Sequence, residues 1–155
     1  IQARLSGYGI STDATHITQP DPAGQIRAME MALYDAGLKA SDIGYINAHG
    51  TATLAGDWAE ATSIQGLFGD HPVPVSSTKA LHGHVLGAGG AIELLVCLSA
   101  LHHQRLPKAA NLSNPDARCP LNLVRADQGL TRELRHCMSN SFAFGGTNAV
   151  LIVST

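Results

Sequence analysis

The sequence predicts an α/β domain, a mixed β-sheet layered with helices and one apolar helix at its centre. Three observations lead there. Short apolar runs bounded by turn residues alternate with stretches of helical periodicity, the last third of the chain places strand-like runs close together, and residues 85–103 are apolar on nearly every side. With 155 residues, 45% of them hydrophobic, the chain carries apolar material for one core and reads as a single domain spanning 1–155.

Taken in order, Ala3 to Ile10 read as a strand, with Leu5 and Tyr8 set among small residues, although Gly7 and Gly9 weigh against it. Asp21-Pro22 is a helix start, because the aspartate accepts from orphan amides and proline suits the first helical position. Ile26, Met29 and Leu33 follow at helical spacing, and Gly37 supplies a left-handed stop. Ile43 to Asn47 is a short apolar strand that delivers His49 into the loop at its carboxyl end, where open α/β sheets place ligands. Ala55 to Phe68 is helical and ends at Gly69; Val73 to Ser76 is another strand, followed by Lys79 and His84 in one loop. Val85 to His103 reads as the buried central helix, with small residues from Gly87 to Ala91 where neighbours approach its backbone. Its apolar stretch, Val85 to Leu101, is shorter than the roughly 20 residues that span a bilayer, and Glu93 and Ser99 interrupt it. Pro107 to Pro120 is a loop; Leu121 to Val124, His136 to Ser141 and Ala149 to Val153 are strands.

Only 14% of residues are charged and the formal net charge is −2, so neither a basic nucleic-acid footprint nor a polybasic membrane patch is present. The expected partners are small molecules or proteins. Cys97, Cys119 and Cys137 have no Cys-x-x-Cys spacing, which fits a reducing, cytoplasmic setting rather than a disulfide framework. No charged n-region with a cleavage site opens the chain, so secretion has no support.

Three polar islands hold the candidate chemistry: Asn47-Ala-His49-Gly-Thr51-Ala-Thr53, Ser77-Thr-Lys79 with Gly83-His84, and Asn140-Ser-Phe142-Ala-Phe144-Gly-Gly-Thr-Asn148. Neutral imidazoles at His49 and His84 can donate to a carbonyl, and the Thr51 and Thr53 hydroxyls can grip an amide-bearing arm or cap the following helix. A carboxylate at Glu93 in an apolar helix needs a partner, and Lys79 is the candidate. Ser76-Ser-Thr-Lys79 matches a Ser-x-x-Lys hydrolase motif, but no Lys-Thr-Gly follows. His49, His82 and His84 could form a three-histidine zinc set, which a neighbouring Lys79 would oppose. No metal or cofactor is expected.

In order and spacing, these islands resemble the carboxyl-terminal half of elongating β-ketoacyl-acyl carrier protein synthases, of the thiolase-like superfamily. Asn47 to Asp57, Ser76 to Lys79 with Gly83-His84 and Glu93, Asn140 to Asn148, and Asn111-Leu-x-Asn114-Pro-Asp116 carry the resemblance across nearly the whole chain. It implies a thiolase-like half and a decarboxylative Claisen condensation. His49 and His84 would donate to the malonyl thioester oxygen as it becomes enolate, with Lys79 and Glu93 supporting them. Thr51 and Thr53 would hold the phosphopantetheine arm of acyl carrier protein. Phe144 would be a gate whose amide joins the oxyanion hole. The nucleophilic cysteine would lie in an amino-terminal half absent from this chain, and the family forms homodimers or related heterodimers. Ala143 stands where many members have glycine, Leu54 replaces a common proline, and Lys108-Ala replaces a common Pro-Thr. The competing reading is a non-catalytic, chain-length-factor-like subunit, which often lacks these histidines.

Overall fold

The computed structural model describes residues 3–125 and 133–155. Six strands form one mixed sheet in the order β1-β6-β5-β2-β3-β4. They are β1 (Arg4–Thr12), β2 (Tyr45–Asn47), β3 (Pro74–Ser76), β4 (Asn122–Leu123), β5 (His136–Ala143) and β6 (Thr147–Ser154). Strands β5, β2, β3 and β4 run parallel to their neighbours, whereas β6 lies antiparallel between β5 and β1. Four helices accompany them: α1 (Pro22–Ala36), α2 (Leu54–Phe68), the one-turn α3 (Lys79–His82) and α4 (Gly89–His103).

Side chains alternate across a strand, and here adjacent residues feed different cores. Ile46, Met138 and Ile152 join Ala28, Met29, Leu33 and Ile64 of α1 and α2. Their neighbours Tyr45, Cys137 and Val153 join Cys97, Ala100 and Leu101 of α4. The result is three layers: α1 with α2, the sheet, then α4.

The expected strand opening the chain is present, and the glycines that weakened its reading have a structural reason. A Cβ at Gly7 would collide with the Ala32 carbonyl, and one at Gly9 with the Ala28 carbonyl. Side-chain-free strand positions are what let α1 lie directly on the sheet. The helix ends also follow expectation: Asp21 accepts from the Ala23 amide, and Gly37 closes α1 in the left-handed conformation at φ 67°. Thr53 caps α2 by accepting from the Gly56 amide.

Residues 85–103 depart from expectation in two ways. They are not one helix: Val85 (φ 48°) and Leu86 (φ 46°) are left-handed, Leu86–Ala88 is a separate 3₁₀ turn, and α4 begins at Gly89. Nor is α4 buried all round in this chain. Gly89, Glu93, Cys97, Ala100 and Leu101 face the sheet, while Leu95 on the far side is 63% exposed. By length and composition, residues 86–103 meet the criterion for a membrane span. The break at Gly89 and the ion pair of Glu93 instead mark α4 as a core helix with one uncovered side.

Candidate functional site

The carboxyl ends of β2, β3 and β5 lie side by side, and each leads into or carries one polar island. The loop after β2 carries His49 and is held by a residue the sequence reading missed. Glu60, 3% exposed on α2, accepts the His49 amide at 2.9 Å, the Gly50 amide at 2.8 Å and the Asn140 side-chain amide at 3.1 Å. Burial raises the Glu60 carboxyl above its ordinary range, and the donors from Gly50, Asn140 and His49 pull against that rise. One signal was available: like Glu93, Glu60 is a carboxylate within a helical apolar stretch, here Ala59, Ala61 and Ile64. Gly50 (φ 36°) tolerates no side chain, since a Cβ would sit 2.6 Å from that of Ser77. The Ser77 hydroxyl donates to the Gly50 carbonyl at 2.9 Å, joining the first island to the second.

Lys79 does not lie in an open loop as expected but begins α3. The expected pairing is present: the Lys79 ammonium meets the Glu93 carboxylate, and their side chains are 8% and 1% exposed. Gly83, at φ 79°, then turns the chain so that His84 follows. His49 and His84 meet edge to face, with ring centroids 5.5 Å apart and planes at 84°. Phe142 of β5 also neighbours His49, with ring centroids 6.0 Å apart.

Burial, reinforced by the charges of Lys79 and His84, holds the pKa of His49 down to about 3. Its ring is therefore neutral at physiological pH. Nδ1 is buried without a partner, which leaves Nε2 as the nitrogen open to a ligand.

Phe144 stands 81% exposed at the tip of the β5–β6 hairpin. Ala143 is extended (φ −119°, ψ 166°), a conformation open to any residue, and Gly145 (φ 77°) and Gly146 (φ 72°) make the turn. Alanine in place of the common glycine thus costs this backbone nothing. The hairpin is anchored from the segment after β1, where Asp13 accepts the Asn148 side-chain amide at 2.7 Å and donates its own amide to Gly146 at 2.8 Å. Thr51 and Thr53 bring their hydroxyls within 3.1 Å of each other at the mouth of the His49 loop.

The other motifs separate from this site. The Ser76 hydroxyl donates to the Pro107 carbonyl at 2.6 Å and lies 2.8 Å from the Tyr45 hydroxyl, fully buried, so it is not placed as a nucleophile. Among the described residues, no cluster of three His, Cys, Asp or Glu side chains is arranged to hold a metal ion. All three cysteines are free; burial raises the Cys97 thiol well above its ordinary range and the Cys137 thiol to about 12. The half-buried Cys119 is raised as well.

Residues 2–113 match the family described as β-ketoacyl synthase, C-terminal domain. The chain is 46% identical, over 97% of its length, to nodulation protein E of Rhizobium meliloti. It is 44% identical, over 99% of its length, to 3-oxoacyl-[acyl-carrier-protein] synthase 2 of Coxiella burnetii. Each match covers 38% of the relative, so this chain spans well under half the length of either. A solved structure described as the ishigamide ketosynthase/chain length factor superposes with a TM-score of 0.96 at 39% identity, covering 100% of this chain and 38% of that one. Strand order, the two facing histidines and these likenesses agree: the chain belongs to the β-ketoacyl synthase C-terminal domain family.

Proposed function

We propose that the complete protein is a 3-oxoacyl-[acyl-carrier-protein] synthase and that this chain supplies its decarboxylation site. The observation that carries the reading is the His49–His84 pair, at 5.5 Å, with His49 held neutral at the carboxyl ends of the parallel strands. Two neighbouring imidazole donors suit an oxygen that gains charge. As malonyl thioester loses carbon dioxide, the electrons of the broken C–C bond pass into the thioester carbonyl, and His49 and His84 donate to the resulting enolate oxygen. The enolate carbon then attacks an acyl thioester on a cysteine, and that cysteine leaves as thiolate. Lys79, paired to Glu93, fixes the floor of the site and contributes positive charge beside the enolate. Thr51 and Thr53 line the approach of the phosphopantetheine arm, and the exposed Phe144 gates the acyl-cysteine side.

The buried, high-pKa cysteines support a nucleophile outside this chain, in an amino-terminal half that packs with it. Acyl carrier protein is the partner delivering both thioesters. A cytoplasmic homodimer or heterodimer completes the proposal. Presence of both histidines favours catalysis over a chain-length-factor role, since a subunit that only shapes an acyl tunnel has no use for them.

The test is decarboxylation of malonyl-acyl carrier protein by this chain assembled with its cysteine-bearing half. His84→Ala should lower the rate by about 10²- to 10³-fold, the usual cost of removing a donor to developing oxyanion charge. An unchanged rate would remove His84 from the reaction.

A further inference from the structure

His82 has no part in the chemistry above, yet both of its ring nitrogens are engaged. Nδ1 lies 2.7 Å from the Gly83 carbonyl, which can only accept, so Nδ1 carries the proton. Nε2 lies 3.0 Å from the Thr78 hydroxyl. The Thr78 oxygen in turn accepts from the Asn47 side-chain amide at 3.3 Å. The contacts form one continuous series from Asn47 through Thr78 and His82 to the Gly83 carbonyl.

The two ends of that series are what give it meaning. Asn47 is 0% exposed, closes β2 and stands two residues before His49; Thr78 is 1% exposed. The Gly83 carbonyl belongs to the peptide bond that leads into His84. Without a Cβ, Gly83 at φ 79° leaves that peptide free to rotate unless something holds it. The hydrogen bond from His82 holds it, while Gly89 leaves room for the His84 carbonyl, 3.1 Å from where a Cβ would be.

We infer that His82 is a positioning residue: the hydrogen-bond series from Asn47 to the Gly83 carbonyl sets the separation and tilt of the His49 and His84 rings. The inference rests on the two-histidine reading of the site. It deepens that reading by explaining how two separate loops keep their donors aligned. A misplacement of about 1 Å in such a site can cost about 100-fold in rate, so alignment is a catalytic quantity here.

The experiment measures kcat and KM for malonyl-acyl carrier protein decarboxylation in the complete enzyme, with His84→Ala as reference. His82→Leu, which removes both ring bonds, should lower kcat by about 10- to 100-fold and leave KM within about twofold, as expected when alignment rather than binding is lost. His82→Asn keeps a donor near the place of Nδ1 and should recover most of the rate. Thr78→Val cuts the series in the middle without touching His82 and should lower kcat in the same direction, which keeps the inference open to test if His82→Leu fails to fold. Full kcat in His82→Leu alongside an impaired His84→Ala would overturn the positioning role and leave the two-histidine reading standing. Loss in His82→Asn equal to that in His82→Leu, in step with lost stability, would also overturn it, by assigning His82 to structure alone. An unimpaired His84→Ala would overturn the two-histidine reading and this inference with it.

Discussion

The loops that carry His49 and His84 reach the same point by opposite means. The His49 loop is secured at the backbone by a carboxylate from a separate helix: Glu60 takes two consecutive amides and the Asn140 side chain, and the imidazole sinks against Phe142. The His84 turn has no such anchor. It is exposed, follows a one-turn helix, passes through a glycine at positive φ, and is held by the His82 ring, which reaches Asn47 of β2 only through Thr78. One donor is thus held from a separate helix by direct backbone bonds, and the other through a relay of side chains.

The largest break in this comparison should come from Lys79, which lies under both loops. Lys79→Ala leaves Glu93 buried without its cation and should cost about 3–5 kcal/mol, seen as a lowered denaturation midpoint. A stability loss within about 0.5 kcal/mol, the range of an ordinary surface substitution, would mean the pair is not structural. Next in size is Glu60→Ala, which orphans the His49 and Gly50 amides and should cost about 2–3 kcal/mol. Amide hydrogen exchange should then speed up most at Gly50 and less at Gly83, because Glu60 bonds the amides of the His49 loop directly.

A separate test is the pH slope in which His49 takes part. Its folded pKa of about 3 lies below the unfolded value of 6.5, so the unfolded chain binds the extra proton between these limits. The stability tied to the neutral ring is present above pH 6.5 and is lost as pH falls toward 3. Urea midpoints taken across that window should fall more steeply for the parent than for His49→Gln. Parallel slopes would place the ring in water rather than against Phe142.

What the sequence made legible was set by local chemistry or by a strong energetic demand. Thr53 as a cap and Gly37 as a stop follow from backbone needs within a few residues. The Lys79–Glu93 pair was legible because an unpaired carboxylate in an apolar helix is costly. Glu60 was not, since a glutamate on a helix is ordinarily solvated and only the packing of α2 on the sheet brings it beneath His49. The true start of α4 escaped for a related reason: Val85 and Leu86 adopt left-handed angles that their side chains disfavour and that local propensity does not forecast. Gly7 and Gly9 pointed away from a strand on propensity, yet the close seating of α1 requires them.

The three cysteines bear on how the assembled enzyme can be assayed. Cys97 and Cys137 are buried and keep their protons far above neutral pH, and Cys119 is shifted in the same direction. Thiolate is the form that alkylating reagents attack, so this part of the molecule is nearly silent to them near neutrality. A stoichiometric burst of thiol labelling in the assembled protein would therefore report on a cysteine elsewhere in it, and active sites could be counted by mass without first removing a single sulfur from this chain.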